Sequence, residues 1–116
     1  ITLLLGAEED GLRLKNKEGR WLDVSPKPGE LVINIGDMLQ RLTNGYLRST
    51  SHRVINPAPD RASNARYSMP FFLHFRSDFL IDALPSTVPQ GEDPKWPPIT
   101  ADEYLQERLR EIKLLY

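Results

Sequence analysis

Short runs of apolar or alternating residues, each ended by a cluster of Gly, Pro, Asn or Asp, fill residues 1–76 of this 116-residue chain. Leu12 to Lys15 alternates apolar and charged side chains, as a strand with one exposed face does. Asn16 to Gly19 then supplies a polar turn, and Arg20 to Val24 completes the pattern of a hairpin. Short strands at this spacing predict a mainly β fold, either a sandwich or a barrel.

The other predicted strands lie over residues 1–6, 31–35, 46–55 and 66–75. The first of them, Ile1 to Gly6, is continuously apolar, which is typical of a strand that is buried on both faces. One or two helical turns are expected over 36–42, with Asp37 as a candidate N-cap. Gly45 suits the left-handed position that often follows a helix.

The chain changes character after residue 76 and divides into three parts at 1–76, 77–99 and 100–116. Residues 77–99 carry five prolines, which predict an extended crossing with little regular structure. Thr100 and Glu103 have the spacing of a capping box, so a helix is expected over 100–116. Its predicted apolar face consists of Tyr104, Leu105, Leu109, Ile112, Leu115 and Tyr116. We expect this helix to pack across the outside of the strands.

The composition narrows the possible partners and compartments. The chain is 40% hydrophobic with a net charge of −1, so it can form a core and has no basic stripe for nucleic acid. No apolar run is long enough to span a bilayer, so no membrane partner is expected. The absence of cysteine suits a reducing cytoplasm. The chain opens without Met inside a β-type run, so we expect a fragment of a longer protein.

Two of the predicted strands carry residues that could bind a metal ion and a carboxylate group. If they form a hairpin with Asn56 opposite Arg66, His52 lies opposite Pro70, and His52, Arg66 and Ser68 share one face. Imidazole is a good ligand for Fe(II), while guanidinium and hydroxyl groups together bind a carboxylate. A register shift of one residue would separate the three side chains. The spacing alone also fits a structural histidine and a solvated Arg-x-Ser face.

A series of ordered segments spans essentially the whole chain and carries a family resemblance. They are Thr2-Leu3-Leu4-Leu5, Trp21-Leu22-Asp23-Val24, Pro28 to Asp37, Leu42-Thr43-Asn44-Gly45, Ser51-His52-Arg53-Val54, Arg66 to Phe72 and Pro97 to Leu105. Together they resemble the C-terminal half of the Fe(II)/2-oxoglutarate-dependent dioxygenases of the isopenicillin N synthase-like group. The resemblance implies an incomplete jelly roll (double-stranded β-helix), mainly β, with iron at one mouth and a C-terminal α-helix.

The same resemblance implies roles for individual residues. His52 matches the distal histidine ligand of the iron, and Arg66 and Ser68 match the pair that binds the C5 carboxylate of 2-oxoglutarate. Asn34 and Asp37 are expected to be structural, as a strand end and a helix cap. Three further residues should point away from the site and into packing: Tyr67, Met69 and Phe71.

The family's other iron ligands come from a His-x-Asp motif located just before the position that matches Ile1. The only other histidine here, His74, is not part of such a motif, and we expect it to be a strand residue near a sheet end. With one ligand, the chain alone is expected to be inactive. A ligand pair from another chain is an alternative, since open strand edges favour exchange between copies.

Two functions therefore stay open at the level of sequence. The first is part of an oxidoreductase that uses Fe(II) and 2-oxoglutarate to oxidise a small molecule, with release of succinate and CO₂. The second is a non-catalytic jelly-roll remnant that acts as a binding or self-assembling module, with a homodimer through exposed strand edges as one form of it. The substrate is not readable from these residues, and some members of the group do not use 2-oxoglutarate.

Overall fold

The computed structural model describes residues 1–5, 11–56, 59–61, 63, 65 and 67–114. Its strands and helices are β1 (Thr2–Leu5), β2 (Leu12–Lys15), β3 (Trp21–Asp23), β4 (Leu31–Asn34), α1 (Asp37–Leu42), β5 (His52–Val54), β6 (Pro70–Phe72), β7 (Leu80–Ile81), β8 (Ile99–Thr100) and α2 (Ala101–Glu111). Short 3-10 turns occupy Pro59–Arg61 and Pro85–Thr87. The chain forms two compact units. The first contains the six strands β1 to β6, and the second contains α1, β7, β8 and α2.

The first unit contains two antiparallel sheets of three strands. Their strand orders are β4-β1-β6 and β3-β2-β5, so the chain crosses repeatedly from one sheet to the other. Such crossing is the connectivity of a jelly roll, in which consecutive strands are shared between two sheets. Together with α2 at the end of the chain, it confirms the predicted mainly β fold with a C-terminal helix.

The predicted hairpin between β2 and β3 is confirmed. Leu14 lies opposite Leu22, and the turn is closed by the Asn16 amide, which donates to the Arg20 carbonyl at 2.9 Å. The Arg20 amide donates in turn to the Asn16 side chain at 2.8 Å, so this asparagine satisfies the turn from both sides. Gly19 has a φ of 79°, a conformation that glycine adopts without steric cost.

The second predicted hairpin, between residues 46–55 and 66–75, is wrong. The regular strands there are shorter, and β5 pairs with β2 while β6 pairs with β1. Pro70 therefore lies opposite Leu4 and His52 opposite Leu14, so the expected pairing of His52 with Pro70 does not occur. Two strands that are neighbours in the sequence can pair with each other, or each can pair with a strand that is distant in the sequence. The alternation of side chains fits both arrangements and does not decide between them.

The burial of the first sheet differs from the prediction. β1 is central in its sheet, but it is not buried on both faces as predicted: Thr2, Leu3 and Leu4 are half-buried and Leu5 is exposed. Phe71, Met69 and Tyr67 were expected to pack against other residues, and each of these side chains is exposed. His74 lies two residues beyond the end of β6, so it follows the strand instead of belonging to it.

The second unit is built around a small buried cluster. Ile81, Ala101 and Tyr104 are buried, and partly buried side chains pack against them from α1 and the neighbouring segments: Met38, Leu42, Phe75 and Ile99. The guanidinium groups of Arg41 and Arg108 lie 5.2 and 5.3 Å from the Tyr104 ring. Burial raises the pKa of the Tyr104 hydroxyl. The pairing of β7 with β8 adds regular structure to the Pro-rich crossing, where little was expected.

Asn44 connects the turn after α1 to the Pro-rich crossing. Its side-chain amide donates to the Thr87 carbonyl at 3.2 Å, and its side-chain oxygen accepts from the Lys95 amide at 2.8 Å. The residue is buried, with a φ of 50° in the left-handed region that asparagine tolerates well. One side chain thus forms hydrogen bonds with backbone groups of two loop segments, which would otherwise lack a partner.

The helix ends agree with the predictions in part. Gly36 is the N-cap of α1, so the prediction of Asp37 as the cap is wrong. Asp37 lies in the first helical turn, where its negative charge interacts favourably with the helix dipole. Gly45 has the expected left-handed conformation, with a φ of 82°. The capping box of Thr100 and Glu103 is confirmed, and its hydrogen bonds lower the pKa of Glu103.

The apolar face predicted for α2 is shorter than expected. The helix ends at Glu111 and Ile112 is exposed, whereas Tyr104 is buried and Leu105 and Leu109 are half-buried. Leu115 and Tyr116 lie outside the described residues. Across the described ranges, no helix combines the length and the hydropathy needed to cross a membrane.

Candidate active site

His52 is held on β5 by backbone bonds to β2 on both sides. On one side the Lys15 amide donates to the Ser51 carbonyl at 2.8 Å. On the other side the Ile55 amide donates to the Gly11 carbonyl at 2.9 Å. The histidine between these two bonds lies directly opposite Leu14, so its backbone position is fixed by the central strand of the sheet.

The alternation of β2 determines which face of this sheet carries His52. Directly paired residues share a face, and the pairings place His52 and Val54 together with Leu12, Leu14 and Leu22. We call this set the His52 face. Apart from the imidazole, all of its members are aliphatic. A metal ligand on this face therefore has hydrocarbon neighbours, although His52 and Val54 are exposed and Leu22 is 46% exposed.

The opposite face of the same sheet is charged. Arg13 forms a salt bridge of 2.6 Å with Asp23, directly across the strand pair. The Arg53 guanidinium lies 4.1 Å from the centre of the Trp21 ring, in a cation–π contact. These partners hold the charged side chains of β2 and β5 on the side away from His52. The alternation predicted for Leu12 to Lys15 is thus confirmed and separates a polar face from the His52 face.

The imidazole of His52 is oriented by its own chain. Its Nδ1 atom lies 3.0 Å from the carbonyl oxygen of Thr50. A carbonyl oxygen only accepts hydrogen bonds, so this contact calls for a proton on Nδ1, and in the neutral ring that tautomer has its lone pair on Nε2. Metal-binding histidines are oriented in this way, with one ring nitrogen bonded to a backbone carbonyl and the other available for the metal. The donor chemistry of His52 therefore fits a single ligand of a divalent metal such as Fe(II).

The other two predicted site residues are placed less fully. Ser68 is exposed and lies two residues before β6, in the chain segment that leads into the β4-β1-β6 sheet. His52 belongs to the other sheet, so the two residues do not share a hairpin. Arg66 lies outside the described residues, and its position relative to His52 and Ser68 stays a prediction.

Further metal ligands are not grouped with His52 in the part of the chain that the structure describes. No cluster of three or more His, Asp or Glu side chains with metal-binding geometry occurs there. Asn34 is the last residue of β4, at the expected strand end, whereas Asp37 is the first residue of α1 and not its cap.

Sequence reasoning missed two contributions to the position of His52. The Thr50 carbonyl is a backbone atom, so no residue type signals its role. Gly11 is buried with a φ of 137°, and a Cβ atom there would lie 2.8 Å from the Ile55 carbonyl oxygen. A glycine directly before an alternating strand is a sign of such close backbone approach. Glycine at position 11 thus allows the end of β5 to lie against β2.

Comparisons with known proteins extend over the same residues. Residues 1–75 match the 2OG-Fe(II) oxygenase superfamily. A 2-oxoglutarate-Fe(II) type oxidoreductase of Emericella nidulans is 43% identical over 107 residues, which are 91% of this chain and 30% of that protein.

Solved structures give the same result. The crystal structure of a 2OG-Fe(II) oxygenase family protein from Caulobacter crescentus is 59% identical, with a TM-score of 0.86 over 96% of this chain and 37% of that chain. A full-length Neurospora crassa protein, solved in complex with alpha-KG, is 32% identical, with a TM-score of 0.82 over 96% of this chain and 34% of that one. The chain thus spans about a third of the length of these relatives and corresponds to their C-terminal portion.

Proposed function

Because this chain belongs to the 2OG-Fe(II) oxygenase superfamily, we propose that it forms the part of a non-haem iron dioxygenase that contributes one iron ligand and the 2-oxoglutarate clamp. The observation that carries this proposal is the orientation of His52. Its Nδ1 proton is engaged by the Thr50 carbonyl, so Nε2 is the atom that would bind the iron. The exposed position of His52 leaves that atom open to an approaching metal ion.

The clamp is proposed for Arg66 and Ser68. Both lie within the segment that matches the superfamily, and they are the Arg-x-Ser pair that the family resemblance assigns to the C5 carboxylate. A guanidinium can donate two parallel hydrogen bonds to a carboxylate, and a hydroxyl can add a third. The complex of the Neurospora crassa relative with alpha-KG supports the choice of this cosubstrate.

The activity of the whole protein follows as a proposal from the same family. With Fe(II) and 2-oxoglutarate bound, such an enzyme uses O₂ to oxidise a small organic molecule, while 2-oxoglutarate is converted to succinate and CO₂. The chain's own residues would hold the iron at Nε2 of His52 and orient 2-oxoglutarate through Arg66. The absence of cysteine supports a cytoplasmic location, and self-association through strand edges stays a prediction.

The clamp can be tested by binding of 2-oxoglutarate to the chain. We expect the substitution Arg66→Ala to weaken binding at least about tenfold, because charge-assisted hydrogen bonds to the C5 carboxylate are lost. Isothermal titration calorimetry in the presence of Mn(II), under argon, measures the affinity without turnover. The matched control is Arg76→Ala, since Arg76 is exposed and bonded to Asp78. Equal affinities of the wild type and Arg66→Ala would contradict the clamp assignment.

A second prediction concerns turnover. The purified 116-residue chain is expected to produce no succinate above background from Fe(II), 2-oxoglutarate and O₂, because His52 is the single iron ligand assigned in it. Succinate measured by mass spectrometry, with and without His52→Ala, checks this expectation. Iron-dependent succinate formation by the wild type and not by His52→Ala would contradict it. Failure of the wild type to bind 2-oxoglutarate at all would favour the non-catalytic module.

A further inference from the structure

Asn44 and Gly45 form a dipeptide that is chemically reactive in an unfolded chain. This is the only place in the sequence where glycine follows asparagine. Glycine has no side chain to shield its amide nitrogen, and its backbone rotates freely enough to bring that nitrogen to the side-chain amide carbon of the preceding residue. In an open chain such a pair is therefore prone to deamidation, the loss of the asparagine side-chain nitrogen as ammonia.

The reaction needs water and no other reactant. The Gly45 nitrogen gives up its proton to solvent and attacks the Cγ atom of Asn44, so that a new C–N bond closes a cyclic succinimide. The bond from Cγ to Nδ2 breaks, and the amide takes a proton from solvent and leaves as ammonia. Water then opens the ring at either carbonyl and leaves aspartate or isoaspartate at this position, with no oxidation or reduction.

The fold engages each group that has to react. The Gly45 amide donates to the Gln40 carbonyl at 2.8 Å, so the attacking nitrogen is bonded elsewhere. The leaving amide of Asn44 donates to the Thr87 carbonyl at 3.2 Å, and the side-chain oxygen accepts from the Lys95 amide at 2.8 Å. Asn44 is 4% exposed, which limits proton exchange with water. All five residues belong to the second unit, so one local opening would release them together.

The products do not suit the place that Asn44 occupies. Aspartate can still accept from the Lys95 amide, but it has no hydrogen to donate to the Thr87 carbonyl and puts a negative charge beside it. Isoaspartate adds a carbon atom to the main chain, which displaces Gly45 from its φ of 82° and from its bond to Gln40. Either product leaves a backbone group without its partner, which favours the open form.

We propose that Asn44–Gly45 is a modification site that records opening of the second unit. Deamidation is blocked while the unit is folded, proceeds when it opens, and prevents the hydrogen bonds of Asn44 from forming again. The loss of ammonia to solvent makes the change one-way, so opened molecules accumulate as a chemically marked population. Neither iron nor 2-oxoglutarate takes part, so the proposal is independent of the proposed function.

Mass spectrometry of the incubated chain measures the reaction. Trypsin cuts after Arg41 and Arg48, so residues 42–48 are released as one peptide, in which the mass increase and the retention time distinguish asparagine, aspartate and isoaspartate. Incubation is in mildly alkaline buffer with and without guanidinium chloride, and digestion is at mildly acidic pH, where the reaction is slow. A synthetic peptide of residues 42–48 corrects for the effect of guanidinium chloride on the chemistry itself.

We expect the wild type to deamidate at least about tenfold more slowly in buffer than in guanidinium chloride, because the reaction waits for local opening. Ile81→Ala, which loosens the core of the second unit, should react at least about tenfold faster than the wild type in buffer. Leu80 is exposed, so Leu80→Ala is the matched control and should stay within about fivefold of the wild type. Equal wild-type rates in the two conditions, or equal rates for the two variants, would overturn the proposed protection.

The variant Asn44→Asp tests the consequence of the modification, because it is identical to one product. We expect it to lower the midpoint of guanidinium unfolding at neutral pH. Asn16→Asp is the matched control, since the Asn16 side-chain oxygen accepts from the Arg20 amide, a role that aspartate retains. A wild-type midpoint in Asn44→Asp, or an equal loss in the two variants, would overturn the claim that deamidation keeps the unit from closing again.

Discussion

Replacing Asn44 by alanine is expected to lower the free energy of unfolding by about 2 kcal/mol, because the Lys95 amide and the Thr87 carbonyl both lose a partly buried hydrogen bond. The left-handed backbone at this position adds strain for alanine. Urea unfolding followed by circular dichroism measures the loss. Hydrogen exchange at the Lys95 amide gives a local measurement, and this amide should exchange faster in the variant.

The variant Asn44→Gly separates the two causes. Glycine removes the same hydrogen bonds but adopts the left-handed conformation freely, so it should be more stable than Asn44→Ala by about 1 kcal/mol. Equal stabilities of the two variants would show that the backbone conformation contributes nothing. A wild-type free energy of unfolding in Asn44→Ala, with unchanged exchange at Lys95, would contradict the bracing role altogether.

Ile81 should be the other position of large effect. It is 1% exposed and packs in the cluster with Ala101 and Tyr104, so Ile81→Ala removes buried methyl groups and leaves a cavity. The expected cost is about 3 kcal/mol. Leu80 is the matched control, because it is the other residue of β7 and is 53% exposed. Leu80→Ala should cost less than about 1 kcal/mol in the same urea titration.

A comparable loss of stability in the two alanine variants would contradict this assignment of the core. It would mean that the side chain of Ile81 contributes no more to the packing than the side chain of the exposed Leu80. The same titration on both proteins decides the question, because the two substitutions leave the backbone bonds of β7 intact.

The features that sequence alone predicted correctly are the local ones. The turn of Asn16 and Gly19 determines the pairing of β2 with β3, since the two strands are joined by a few residues with strong turn preferences. The capping box of Thr100 and Glu103 is likewise decided within one helical turn. In each case the interacting groups are so close in sequence that no other arrangement competes.

The partners of β5 and β6 could not be predicted in this way. The alternation of side chains along a strand predicts that His52 and Val54 share a face, and the structure confirms this. The same alternation does not predict which strand pairs with β5. Leu14 on β2 is an equally suitable neighbour for His52 as Pro70 on β6, and the actual choice depends on the whole sheet. Proximity in sequence favoured the wrong strand.

For the candidate site the sequence offers residue types, whose roles stay predictions, and no signal for the geometry around His52. The bond from His52 to the Thr50 carbonyl depends on a main-chain atom, which every residue possesses, so the sequence contains no signal for it. The exposure of Phe71 was not foreseen either, because an apolar residue in a strand is normally expected to be packed within its own chain.

The central position of β2 has a consequence for the order in which the first unit folds. The hairpin of β2 and β3 closes a turn of a few residues, whereas β5 joins β2 only after the much longer segment between Lys15 and His52 has been closed into a loop. Closing a longer loop costs more chain entropy and slows contact formation. We therefore expect His52 to reach its place on the sheet in a late step, after the strand that receives it has formed.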